Sequence, residues 1–529
     1  MSQEKPVQYN YDKRHIFFGL TALFLVYGTM AFSIQSLSIA RPKIAAELGG
    51  MSIYAWSVSI PGLVSAFVTL IFGKLSDIYG RRIMLMISLF FAIAGSILSV
   101  LSTTFVFFII AAGIRSLGVG ALMPLVFATV GDMFPPVQRS KWIGLLQIPI
   151  GVAALSGPTL GGWFAGGWGW EYLFWITALL FIICLFLVPF GVPSPAHRGL
   201  KTKMDIRGCL FMVVASSTTI IGISLGGVKY PWASKTIISL LAISLISWTF
   251  FFREEHRAKE PILDPLVLHN RTFNTIAGAS LLGIFGQVGM MMYFPMYLQG
   301  VQGMDAALSG SIYTPCTVLM AFIGVPAGFI LAKTRRYKWM YVCGFAIVTA
   351  AMFGVLLLGE DTSILFSILI TTLAGLGLGA IPTVNTVVVQ NAVPKRLMGV
   401  AMGAVFFCLM LGVAVAPAIL GAVEQTVYTK TLTASLPDGL NRITGKEAMT
   451  SLIDSQVLLS KPDMEALEKA FKRVGKEGEE LIQPTVDAIR KSMEASIKKV
   501  FWVAAITSLF SFLLIITIPE VPIGSSEDM

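Results

Sequence analysis

The sequence predicts an all-α protein that crosses a membrane many times, and three observations carry that prediction. Apolar runs long enough to span a bilayer recur fourteen times along the 529 residues. Only 13% of residues are charged against 55% hydrophobic, with a mean hydropathy of +0.77; a water-soluble chain of this length needs more charge on its surface. Lys and Arg are also shared unevenly. The N-terminal tail and alternate connections hold 22, and the short connections on the other side hold four: Arg41, Lys43, Lys229 and Lys235. That asymmetry places both termini in the cytoplasm, in a multi-pass protein of the plasma membrane.

The runs lie at roughly 16–39, 54–73, 83–102, 104–131, 141–165, 171–190, 207–227, 234–252, 273–298, 307–332, 338–358, 363–390, 397–423 and 500–519. A cytoplasmic tail, 1–15, precedes span 1, whose apolar run is too long for a cleaved signal peptide. Spans 1–6 fill residues 16–190, a linker and spans 7 and 8 fill 191–252, and a cytoplasmic loop covers 253–272. Spans 9–13 fill 273–423, an outer segment covers 424–499, span 14 covers 500–519, and a cytoplasmic tail ends the chain at 520–529. The net charge of +10 sits in short loops between apolar runs, where anionic lipid headgroups explain it better than nucleic acid.

Spans 1–6 and 9–14 read as two copies of one unit, with spans 7 and 8 inserted between them. Leu117-Gly118-Val119-Gly120-Ala121-Leu122-Met123-Pro124 in span 4 echoes Leu376-Gly377-Leu378-Gly379-Ala380-Ile381-Pro382 in span 12. In span 5, Gly157-Pro158 and Gly161-Gly162 echo Ala416-Pro417 and Gly421 of span 13.

The hairpin between spans 2 and 3 reads Gly73-Lys74-Leu75-Ser76-Asp77-Ile78-Tyr79-Gly80-Arg81-Arg82. Gly73 lets helix ends approach closely, and Gly80 permits a positive φ in the turn. Arg81 and Arg82 keep the hairpin inside. Asp77, a lone carboxylate among cations, is expected to pair and to latch the hairpin to a neighbouring helix. A decayed copy runs from Gly328 to Tyr337, with Ala332 in place of the aspartate and Arg335-Arg336 keeping the charge.

The hairpin resembles the G-x-L-x-D-x-x-G-R-R signature of the major facilitator superfamily. That resemblance implies the major facilitator fold: two six-helix halves plus two inserted helices, a substrate site between the halves, and a charge cluster of Asp77, Arg81 and Asp132 that holds the outward-facing state. Ser156 to Gly162 resembles the superfamily's antiporter motif, with Gly157 and Gly161 as a close helix contact and Pro158 loosening the helix. Together with fourteen spans and Trp170 to Ile176 opening span 6, it makes the chain look like the drug:proton antiporter branch. The implied function is export of amphipathic compounds by alternating access, driven by an ion gradient, with protons as the candidate ion and a monomer as the working unit. Kept beside it are an exporter of a lipid or anionic metabolite, an importer, and a non-transporting receptor on the same fold.

The chain departs from the branch in its charges. Ser33 stands where span 1 usually has an aspartate, Arg115 where span 4 usually has a glutamine, and Ala112 where it usually has an arginine. Glu171 and Thr177 replace the usual Arg and Asn of span 6. No Asp or Glu lies deep in any span, while Arg115 does, at a cost of several kcal/mol unless it is partnered or hydrated. It is expected either to bond serines or carbonyls of span 1 or to bind substrate or ion. Other cavity candidates are Tyr27, Gln35, Gln147, Gln287, Tyr293 and Asn385. There is no phosphate-binding Gly-rich loop. The four histidines lie in tails or loops, and the five cysteines lie in apolar segments without metal spacing. No enzyme, cofactor or metal is expected; the partners are the bilayer and a small-molecule substrate.

The outer segment balances twelve Lys and Arg against twelve Asp and Glu. Met464, Leu467, Phe471 and Val474 share one helical face, and Pro484 to Ile497 suits a second helix. The segment is expected to be a helical cap on the outer mouth, with a gating or partner-binding domain as the alternative.

Overall fold

The computed structural model describes residues 13–50, 53–54, 56–192, 205–226, 230–258, 261–436, 469, 471 and 476–523. The protein is an all-α polytopic membrane protein. Among the described residues, thirteen helices are long and apolar enough to cross a bilayer, and the segment around Ile206–Leu225 supplies a shorter apolar helix.

The first half is built from α1 (Lys13–Glu47), α2 (Trp56–Tyr79), α3 (Arg81–Val100), α4 (Phe105–Met133), α5 (Pro136–Leu145), α6 (Gln147–Trp163) and α7 (Glu171–Gly191). The span expected at 141–165 is thus two helices broken at Leu146, followed by a π-helical turn at Phe164–Trp168. The inserted pair is α8 (Ile206–Leu225) and α9 (Lys235–Glu255). A short α10 (Pro265–Leu268) leads into the second half: α11 (Arg271–Val288), a π turn (Gly289–Tyr293), α12 (Phe294–Gly300), α13 (Ala306–Phe322), α14 (Gly324–Thr334), α15 (Lys338–Val355), α16 (Ile364–Ala392), α17 (Met398–Ser435) and α18 (Lys476–Ile516).

Local chemistry explains the boundaries. Thr104, Asp205, Ser234, Asp264, Asn270, Asp305 and Ser363 each accept a first-turn N–H with the side chain, satisfying donors that lipid would leave bare. Inside the spans, hydroxyls turn back on their own helix. Ser88 donates to the Met84 carbonyl at 2.8 Å, Ser96 to Ala92 at 2.7 Å and Thr129 to Leu125 at 2.6 Å. The inserted pair is stitched by the Trp248 indole donating to Thr219 at 3.2 Å, and Trp248 leans on Phe407 of α17, ring centroids 6.1 Å apart. Glu255 closes α9 by accepting N–H bonds from Ile262 and Leu263 at 3.2 and 3.0 Å.

The last two transmembrane helices outrun the spans expected for them. α17 has 38 residues and α18 has 41, which is about 57 and 62 Å of helix against a hydrocarbon core of about 30 Å. Hydropathy marks membrane thickness, but these helices continue because their extensions cover one another. Tyr428 and Leu432 of α17 and Ile489, Met493 and Ile497 of α18 are all buried in one cluster with Phe471. Glu424, also buried, accepts from Ser496 at 3.4 Å within that pair. Met464, Leu467 and Val474 lie outside the described residues.

Candidate functional site

The two halves meet at the face that carries the charged hairpin, and Asp77 is the centre of that meeting. Its two carboxylate oxygens accept the backbone N–H groups of Gly399 at 3.0 Å and Val400 at 2.8 Å. Both donors sit in the first turn of α17, where a helix has no acceptors of its own and where its dipole favours negative charge. The first half thereby caps a helix of the second. Arg81 aims the cap: one guanidinium nitrogen lies 2.6 Å from Asp77, Nε donates to Asp132 at 2.7 Å, and a further N–H donates to the Ser76 hydroxyl. Gly80 turns the chain into α3 with φ 94°, as the sequence required. Gly73 brings the backbones together: a Cβ there would stand 2.5 Å from the Gly399 carbonyl oxygen and 3.2 Å from the Gly403 Cα.

The decayed copy of the hairpin makes the pseudo-equivalent junction. A Cβ on Gly328 of α14 would stand 2.5 Å from the Ser140 carbonyl oxygen and 2.9 Å from the Gly144 Cα of α5. With Ala332 in the aspartate's place, this contact is apolar. Arg335 occupies the position of Gly80 and keeps its positive φ, at 55°, without being glycine.

Deeper in, a second layer closes the same face. The Gln390 amide of α16 donates to the Phe127 carbonyl of α4 at 2.8 Å. The Phe127 ring stacks on Phe406 of α17, centroids 5.7 Å apart at 19°, and takes the edge of Tyr27 at 5.2 Å. Gln147 packs against Gly324, where a Cβ would come within 2.5 Å of its side chain.

The other sequence candidates fall in separate places. Gly157 and Gly161 seat α6 on α1, within one half; a Cβ would stand 2.6 Å from the Gln35 Cβ in the first case and 2.5 Å from the Ser36 carbonyl oxygen in the second. Pro158 lies inside α6 between them, and Gly162 faces Ile39. Asn385 accepts from the Tyr341 hydroxyl at 2.5 Å and donates to Ser280 at 3.0 Å, tying α16 to α15 and α11. Tyr293 ends the π turn beside Gly421, and Gln287 is half-buried on α11.

Arg115 lies about 15 Å along α4 from its start. It is 6% exposed, donates to the Ser33 hydroxyl of α1 and lies 5.6 Å from the Phe174 ring centroid of α7. Sequence reasoning missed Gly399, Gly403, Gln390, Phe127 and Phe406. The Gly399 and Gly403 spacing, like that of Gly324 and Gly328, was the readable signal, since small residues four apart allow close helix contact.

Two helical halves joined face to face at one membrane surface, with a carboxylate of one capping a helix of the other, are the architecture of a membrane transporter rather than an enzyme. The chain belongs to the Major Facilitator Superfamily, whose sequence profile matches residues 23–417. It is 30% identical over 420 residues to the Multidrug transporter protein MdtP of Bacillus subtilis (strain 168), covering 79% of this chain and 77% of that protein. To Multidrug resistance protein 3 of the same organism it is 27% identical over 519 residues, covering 96% and 97%. Its fold is similar to that of the proton:xylose symporter XylE, with a TM-score of 0.58 at 13% identity over 98% of this chain and 99% of that one. The chain is therefore a secondary transporter that moves a small molecule across a membrane.

Proposed function

We propose that this chain exports amphipathic compounds whose polar group is anionic or neutral, as a member of the fourteen-helix drug:proton antiporter branch. The names of two relatives, a multidrug transporter and a multidrug resistance protein, support export and the branch. The Lys and Arg asymmetry supports the hairpin face as cytoplasmic, with both termini inside and a plasma-membrane location. On that orientation the described conformation is closed inward, and the transport cycle breaks the Asp77 clamp to load substrate. An ion gradient drives the cycle, protons being the ion in the branch that the chain resembles, and the working unit is a monomer.

The observation that carries the substrate class is Arg115. A hydroxyl and an aromatic face are its contacts, and no carboxylate among the described residues lies within ion-pair distance. At an effective dielectric near 20, a second cation about 8 Å away is penalised by about 2 kcal/mol, roughly thirtyfold in occupancy, and an anion gains as much.

Inverted membrane vesicles given anionic, neutral and cationic fluorescent amphiphiles test this. Anionic and neutral compounds should accumulate, with collapse by a protonophore, and Arg115→Gln should depress the anionic ones most. Preferential uptake of cations, or an equal loss of every substrate in Arg115→Gln together with lowered thermal stability, sinks the proposal.

A further inference from the structure

The fifth span is broken at Leu146, and the break sends its two pieces to different partners. α6 stays on α1, with Gly157 and Gly161 seated against Gln35 and Ser36, whereas α5 leans on α14 and α16 of the second half. Between α5 and the start of α1 this divergence leaves a groove of about 540 Å³, lined by Phe17, Leu20, Thr21, Phe24, Leu25 and Trp142. Phe17 and Thr21 are exposed, so the groove opens outward from the bundle and, in a membrane, onto lipid. The Thr21 hydroxyl donates back to the Phe17 carbonyl at 2.9 Å, which hides the one hydroxyl of the lining.

Dimensions and position select the occupant. From Phe17 to Leu25 the wall of α1 rises about 12 Å, close to the roughly 15 Å of one leaflet's hydrocarbon. An acyl chain fits a wall of that height and polarity. Both walls belong to the first half, and the joint with the second half lies elsewhere on α5, where Gly144 meets Gly324 and Gly328. A molecule held in the groove is outside the joint between the halves, so the groove suits a resident lipid rather than a transported compound.

At the hairpin end the groove is cationic. Arg14 precedes Phe17, Thr21 and Leu25 by three, seven and eleven residues, so it heads the same stripe of α1. On α5, Lys141 adjoins Trp142, and Gln138 stands one turn before that tryptophan on the same face. All three polar residues are exposed, and neither cation has an ion-pair partner among the described residues. Their long stems can carry both charges to the level of a lipid headgroup.

We infer that the α1–α5 groove binds an anionic phospholipid of the hairpin-side leaflet. One acyl chain lies against Phe17, Phe24 and Trp142, and Arg14 and Lys141 hold the phosphate. A zwitterionic lipid offers the same chain but carries its own cation, which the two side chains oppose.

The test uses the full-length protein, purified in a neutral detergent and titrated with mixed micelles of phosphatidylglycerol or phosphatidylcholine brominated on the acyl chain. Bromine quenches tryptophan at contact, and the part of the quenching that Trp142→Phe removes reports the groove. Phosphatidylglycerol should quench saturably and at lower concentration than phosphatidylcholine. Arg14→Gln and Lys141→Gln, both at exposed positions, should each weaken the phosphatidylglycerol titration about fivefold and leave that of phosphatidylcholine unchanged. Thr21→Phe, which fills the groove from its open side, should remove the Trp142 signal with either lipid. Equal titrations by the two lipids overturn the inference, as do cation variants that titrate like the parent or an absence of quenching at Trp142. If an anionic dye of the vesicle assay displaces the lipid and its transport falls in Thr21→Phe, the groove is a substrate entry and the inference fails. None of these outcomes bears on the substrate class, which stands or falls on the charge selectivity of Arg115→Gln.

Discussion

Replacing Asp77 with Asn should shift the transporter towards the state open at the hairpin face. Only bonds that cross between the halves bear on that equilibrium. The pair between Asp77 and Arg81 and the pair between Arg81 and Asp132 lie within the first half and persist when the halves part. What crosses is the pair of N–H bonds from Gly399 and Val400, at 3.0 and 2.8 Å, together with the attraction of a carboxylate for the N-terminus of α17. A hydrogen bond to a charged group is worth about 1.5–3 kcal/mol and a neutral one about 0.5–1.5, and the helix-end attraction adds about 0.3–1. Asn keeps one acceptor and turns an NH2 towards the second donor. The closed state therefore loses at least about 2 kcal/mol, a change of roughly 30-fold or more in the ratio of closed to open. The assay is thiol labelling of Met398→Cys, a fully buried position at the joint, in a background lacking the five native cysteines. Labelling should accelerate by that order, and transport should fall while insertion stays intact. An Asp77→Asn variant that expresses well, labels at the parent rate and transports normally would refute the latch.

Two further outcomes follow from the same geometry. Gly157→Leu forces a branched side chain into space held by Gln35 and Ser36, and since α6 and α1 belong to one half, the half itself should suffer. A stability loss of about 1–3 kcal/mol, read as a lowered unfolding midpoint with reduced transport, is expected, and an unchanged midpoint rules the contact out. Arg335→Gly should instead stabilise, by up to about 1 kcal/mol. The residue is exposed, so no packing is lost, and a positive φ that strains arginine costs glycine nothing. A lower midpoint for that variant would mean that the arginine side chain, rather than the turn, matters there.

The sequence disclosed the parts of the charged junction that are local and hid the part that is not. Gly73, Asp77, Gly80 and Arg81 are legible because each residue type answers a need within ten residues: a close approach, a lone carboxylate among cations, a positive φ. The partners of Asp77 across the joint are backbone N–H groups more than 300 positions away, and an N–H donor has no signature in a sequence. Fourteen apolar runs were legible for the same reason, as hydropathy integrates over a window the thickness of a bilayer. The lengths of α17 and α18 were not, because beyond the membrane they are set by the partner that each extension covers. Arg115 announced that it needed company, and a serine of the first span was among the candidates.

The two junctions on the hairpin face also differ in kind, and the difference gives the face a direction of opening. Where Gly73 meets Gly399 and Gly403, separation strips a buried carboxylate from two donors and a helix end. Where Gly328 meets Ser140 and Gly144, it separates closely apposed backbones, and Ala332 offers nothing to cap α5. The second hairpin is instead held from its own side. The Ile523 N–H donates to the Arg335 carbonyl at 3.0 Å, the Tyr337 hydroxyl donates to the Pro519 carbonyl at 2.6 Å, and Val521 donates back to that hydroxyl at 3.2 Å. These bonds join the chain's end to the α14–α15 turn and do not reach the first half. They fix the turn while leaving it free to move away from α5. Duplication supplied two equivalent contacts. With an aspartate at one junction and Ala332 at the other, the joint has a strong side and a weak side, and α5 and α14 are expected to part at lower cost than α2 and α17.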